Sequence, residues 1–95
     1  MPAYVIANVE VTDPTKFQKY INQVPSTVEE YGGQYLIRGG EAEKAEGSYE
    51  PKRMVVIRFE DMKQLKKWYH SREYSGPMQL RHQSAKSSVL FVEGV

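Results

Sequence analysis

Ala3-Tyr4-Val5-Ile6-Ala7-Asn8-Val9-Glu10-Val11 alternates without a break. Ala3, Val5, Ala7, Val9 and Val11 fall on one side; Tyr4, Ile6, Asn8 and Glu10 fall on the other. A period of two with β-branched residues is the pattern of a strand. The first side is small and apolar, suited to lie beneath helices. The second mixes apolar and polar groups, so it faces something other than a plain dry core.

The chain then changes period. Asp13-Pro14 is a helix start, with Asp as the cap and Pro in the first turn. Phe17, Tyr20, Ile21, Val24, Val28 and Tyr31 follow at steps of three and four, and Gly32 supplies a left-handed stop. Pro25 interrupts this stripe and removes the hydrogen bond to the Ile21 carbonyl. The stripe stays in phase across it, which predicts one kinked helix rather than two. Residues 34–39 read as a second strand, ended by Gly39-Gly40. The irregular acidic stretch 41–51 is either a solvated hairpin loop or a lid anchored by Tyr49.

Residues 53–60 form the third strand. Val55, Ile57 and Phe59 lie on one face and Met54, Val56 and Arg58 on the other, so the strand should be central. Asp61 caps a helix carrying Met62, Leu65, Trp68 and Tyr69. Ser71 caps a further short helix on which Tyr74, Met78 and Arg81 share a face. Residues 88–93 make the last strand, with Val89 and Phe91 opposed to Leu90 and Val92. The order β-α-β-β-α-β predicts an α+β, ferredoxin-like fold with a four-stranded antiparallel sheet and helices on one face. Residues 1–95 read as one such domain. That arrangement leaves Tyr4, Ile6, Met54, Val56, Leu90 and Val92 uncovered, too apolar a face for water. A second copy in a twofold homodimer is the simplest cover.

Composition narrows the function. Apolar residues make up 40% of the 95 residues and charged ones 26%, ordinary for a globular chain. Thirteen basic against twelve acidic residues give a charge of +1, which argues against nucleic acid or an anionic membrane as partner. There is no cysteine, hence no thiolate nucleophile and no sulfur-built metal site. No apolar run is long enough to span a bilayer. Met1-Pro2-Ala3-Tyr4 lacks the features of a signal peptide, so a cytoplasmic location is expected. His70 and His82 lie in no metal-ligand spacing, and the glycine pairs form no phosphate loop. No metal or other cofactor is expected.

Candidate chemistry lies with polar groups among apolar neighbours. Asn8 and Arg58 share the open face with Tyr4, and Arg38 is placed there too, on the side of Leu36. Such groups either pair with a carboxylate such as Glu10 or Glu60 across a dimer, or hold an anionic or carbonyl group in a cavity. Trp68-Tyr69-His70-Ser71-Arg72-Glu73-Tyr74 is either aromatic core with a capping turn, or a cavity rim whose phenols donate to a substrate oxygen.

These residues also resemble a known family. Pro2-Ala3-Tyr4-Val5-Ile6, Val24-Pro25, Tyr31-Gly32-Gly33, Arg38-Gly39-Gly40 and Glu46-Gly47 carry the likeness. So do Pro51-Lys52-Arg53, Val55-Val56-Ile57, the segment from Trp68 to Tyr74, Arg81, and Val92-Glu93-Gly94. Over nearly its whole length the chain resembles the domain-of-unknown-function family 1330, in the dimeric α+β barrel superfamily. The resemblance implies the ferredoxin-like fold and a dimer with facing sheets. It implies no reaction, since related families include cofactor-free monooxygenases, isomerases, lyases and haem-degrading enzymes. It favours Arg38, Tyr69, Ser71, Tyr74 and Arg81. Together the readings give Asn8, Arg38, Arg58 and Tyr74 as candidate catalytic residues. Tyr4, Tyr69, Ser71 and Arg81 are the candidate substrate contacts. The expected function is a homodimer that binds a small carbonyl- or carboxylate-bearing molecule, either as a ligand or as the substrate of a cofactor-independent monooxygenase-, isomerase- or lyase-like enzyme; the alternative is a non-enzymatic dimerisation or binding module.

Overall fold

A computed structural model describes residues 1–95. Its elements are β1 (Ala3–Val11), α1 (Pro14–Glu30), β2 (Gln34–Arg38), β3 (Arg53–Phe59), α2 (Met62–Tyr69), α3 (Arg72–Ser84) and β4 (Ala85–Glu93). The four strands form one antiparallel sheet in the order β2-β3-β1-β4. This is the α+β, ferredoxin-like arrangement, with the third strand central as its two apolar faces require. No helix is long and apolar enough to cross a membrane.

The alternation of β1 sets both faces. Ala3, Val5, Ala7 and Val9 are buried. Val5 pairs with Ile57 and Phe91, and Ala7 with Val55 and Val89, so these residues line the face beneath the helices. Tyr4 pairs with Arg58 and Val92, and Ile6 with Val56 and Leu90, on the opposite face. That face is uncovered in the single chain: Leu90 is 61% exposed and Val92 42%.

Helix boundaries follow local capping. The Asp13 carboxylate accepts from Lys16 N–H at 3.1 Å and that of Asp61 from Gln64 N–H at 2.8 Å. Ser71 Oγ accepts from Tyr74 N–H at 3.1 Å. Helix α1 runs through Pro25 as one element, and Gly32 follows it at φ +76°. The third helix is longer than its sequence suggested. It continues through Pro77 to Ser84 and passes directly into β4 at Ala85 instead of Ser88.

Strand β2 carries the main correction. Tyr35 pairs with Ile57 but Ile37 pairs with Val56, so Leu36 is an extra, bulged residue. The bulge flips everything after it to the other face. Arg38 therefore stands opposite Val55 and points beneath the helices with Tyr35. The uninterrupted alternation that placed it beside Leu36 does not hold.

The core sits between sheet and helices. Trp68 stacks at 4.2 Å from the Tyr74 ring and 5.4 Å from Phe59. Its indole Nε1–H donates to Thr27 Oγ1 at 3.0 Å, and that hydroxyl donates to the Val24 carbonyl at 2.7 Å. Thr27→Val keeps the shape but strands a buried donor. It is expected to cost about 1–3 kcal/mol, measured by urea unfolding followed through the only tryptophan.

Candidate functional site

Beneath the helices the sheet face is not filled. Val5, Ala7 and Val9 form the floor of a cleft, with Phe17, Tyr20 and Ile21 of α1 above it. Ala7 is the small residue of that row and leaves room where its neighbours carry valine. The cleft is narrow in the single chain, with a volume of about 40 Å³, room for roughly three waters by their centres.

The lining is apolar and aromatic except for three arginines, Arg38, Arg53 and Arg81, and it includes no Asp or Glu. The one ion pair in the chain, Lys44 with Glu50, lies in the loop after β2. Arg81 is the most enclosed of the three, 5% exposed. Burial works against its charge, but the oxygens of Tyr74, Tyr20 and Tyr69 outweigh that effect and raise its pKa. The guanidinium thus stays charged among phenols, with no carboxylate partner.

The phenols form a network. Tyr20 and Tyr74 hydroxyls are 3.0 Å apart. Burial, reinforced by Tyr74, pushes the Tyr20 pKa far up. Burial pushes Tyr35 up to about 12, despite the opposing pull of Arg38. At neutral pH Tyr20 and Tyr35 keep their protons, so they can donate hydrogen bonds but cannot serve as bases.

Arg38 is fixed by a backbone vacancy. Pro25 has no N–H to give the Ile21 carbonyl, and Arg38 donates to that oxygen at 3.2 Å. Its guanidinium also lies 4.9 Å from the Tyr35 ring centre. Arg53 lies 5.8 Å from the Phe17 ring centre and packs where a Cβ on Gly39 would be. Gly39 has φ +73°, so it satisfies two demands at once: a left-handed backbone and an empty side-chain position.

Of the residues singled out in the sequence, Arg38, Tyr69, Tyr74 and Arg81 line this cleft together. Ser71 does not; it caps α3 and thereby sets the start of the helix that carries Tyr74 and Arg81. Tyr4, Asn8 and Arg58 lie on the open face. Asn8 donates to the Glu50 carbonyl at 3.0 Å and accepts from Lys52 N–H at 2.8 Å, tying down the end of the acidic loop. Tyr49 is 60% exposed and anchors nothing. Sequence reasoning missed Arg53, Tyr20 and Tyr35. Arg53 was within reach, since it shares the parity of Val55 and Ile57. Tyr20 was taken up in the apolar stripe of α1, and Tyr35 gained its partners through the bulge.

Two outcomes follow from this electrostatic arrangement. Replacing a buried, carboxylate-free charge by an apolar side chain of similar length removes a desolvation cost. Because Arg81→Met loses both that cost and the phenol contacts that offset it, its stability is expected to change by less than about 3 kcal/mol; a larger loss would show that the charge is paired. The tyrosines set the alkaline limit. Their folded pKa values lie above the ordinary 10.0, and Tyr35 reaches about 12. Their stabilisation is complete below about pH 10 and is lost as pH rises towards and beyond 12, because the unfolded chain releases protons that the fold retains. Tyr20→Phe should flatten that decline in urea titrations at stepped pH.

Known structures share this architecture at low identity. A protein of unknown function from Rhodopseudomonas palustris, RPA0582, superposes with a TM-score of 0.81 at 10% identity, over 99% of this chain and 82% of that one. SnoaB from Streptomyces nogalater, a cofactor-independent oxygenase, gives 0.71 at 9% identity, over 99% and 93%. The de novo designed protein Foldit4 gives 0.61 at 12%, over the whole of both chains. A design and an oxygenase on one fold show that the likeness reports architecture alone. No functionally curated protein matches the chain. Residues 2–95 match the family described as Domain of unknown function (DUF1330), which agrees with the motifs running from Pro2 to Gly94, and the chain belongs to that family.

Proposed function

We propose that this protein is a homodimer that binds a small carbonyl- or carboxylate-bearing organic molecule in the cleft and activates it without a cofactor. The observation that carries this reading is Arg81, a buried guanidinium with no carboxylate partner, set beside the Tyr20–Tyr74 hydroxyl pair. Preorganised donors in a dry site are what a developing oxyanion needs. Tyr74 and Arg81 would polarise the ligand oxygen, and Tyr69 would form part of the aromatic wall. With no His, Asp or Glu in the lining, the chain offers stabilisation of an enolate- or phenolate-like anion, not a side-chain base. The substrate must then be acidic enough to ionise once polarised. The similarity of the fold to a cofactor-independent oxygenase is consistent with such chemistry.

The open face supports the dimer. Ile37, Leu90 and Val92 are exposed there beside half-buried Ile6, Met54 and Val56. Asn8, Arg58 and Tyr4 would then fix the register between copies, a role that fits their distance from the cleft better than catalysis does.

Sedimentation equilibrium should return twice the 11.0 kDa chain mass, and Leu90→Glu should return the single-chain value. A thermal-shift screen against small carboxylates, lactones and phenols should yield ligands that raise the melting temperature. Arg81→Met should abolish those shifts while the empty variant stays folded. Loss of no shift in Arg81→Met would remove the proposed oxygen site.

A further inference from the structure

Arg38 and Arg53 are not used by the oxygen site just described, yet both are held at the same cleft. They stand on adjacent strands and on the same face. Arg38 is opposite Val55, and Arg53 is two residues from Val55 along β3, so the pair are diagonal neighbours across the ladder. Two guanidiniums at such spacing repel unless an anion lies between them. Neither is in an ion pair. With Arg81 they give the cleft three positive charges against no negative one, in a chain whose total is only +1.

The pair is also preorganised. Pro25 leaves the Ile21 carbonyl free to hold one N–H of Arg38, and Tyr35 supports its plane. The missing Cβ of Gly39 makes space for Arg53, and Phe17 supports it. A guanidinium offers five N–H donors, so most of those on Arg38 remain available. Planar forks aimed from neighbouring strands match a planar carboxylate. The apolar and aromatic walls between this pair and α3 match a flat hydrocarbon body.

We propose that Arg38 and Arg53 form a carboxylate-binding subsite, so that the ligand is an aromatic or similarly apolar carboxylic acid with a second oxygen function for Tyr74 and Arg81. This rests on the cleft being the ligand site, as proposed above. The acid anchors at the β2–β3 lip, and the body lies across the floor of Val5, Ala7 and Val9. The second oxygen meets the α3 side. The lip arginines act by charge and orientation; Tyr74 and Arg81 act on the reacting oxygen.

The test compares para-acetylbenzoate with its methyl ester, which keeps the ketone and ring but loses the charge. The readout is the single indole N–H cross-peak of Trp68, a cleft residue, in a nitrogen–proton correlation spectrum. The acid is expected to shift that peak saturably at about tenfold lower concentration than the ester, since a charge-assisted pair is worth at least that factor. Arg38→Gln and Arg53→Gln should each bring the acid to the level of the ester and leave the ester unchanged. Arg53→Lys should recover part of the difference, and added salt should weaken only the acid. Equal saturation of acid and ester in the parent, or undiminished acid binding in both Gln variants, would overturn the subsite and leave the cleft as a ligand site. If neither compound moves the peak, the cleft reading fails and the subsite with it.

Discussion

Pro25 deprives the Ile21 carbonyl of its helical partner, and Arg38 supplies the replacement. The site depends on that exchange. A proline within a helix ordinarily costs stability because a carbonyl is left bare and the turn is crowded. Here the bare oxygen becomes the anchor that ties the edge strand β2 to α1. It fixes a long, flexible side chain at the cleft, next to an arginine that would otherwise repel it. The interaction crosses from a helix interior to a sheet edge and joins the α1 wall to the β2–β3 lip.

The same cleft shows how a buried charge is kept. Burying a guanidinium without a counter-ion costs desolvation, and the phenol oxygens around Arg81 outweigh that cost. The fold places Arg81 at 5% exposure beside Tyr20, whose proton burial retains. Such an arrangement is stabilised when a negatively charged or strongly polarised oxygen arrives. The donors stand in place before the ligand arrives, which is how an electrostatic site discriminates between a ground state and a more anionic one.

Local rules carried much of the architecture. The two-residue period of β1 gave its facing, Asp13, Asp61 and Ser71 marked helix starts, and Gly32 marked an end, because each acts on its immediate neighbours. Arg81 and Tyr74 were legible as one helix face. Arg38 was legible as a functional residue but not in its facing. One extra residue at Leu36 reverses parity, and nothing in Gln34-Tyr35-Leu36-Ile37-Arg38 announces it. Asn8 looked like a site residue because a polar group interrupted an apolar row. Its partners, Glu50 and Lys52, lie over forty positions away in sequence, and no local rule reaches that far. Pro25 was read as a defect in a helix; only the tertiary structure shows which group receives the freed carbonyl.

The Leu36 bulge has an effect beyond aiming Arg38. Strand β2 is an outer strand of the sheet, only five residues long. Its kink breaks the regular row of free N–H and C=O groups that another chain would need in order to extend the sheet sideways. Lateral growth into fibres is thereby discouraged on that side, and contacts between copies are directed to the broad flat surface instead.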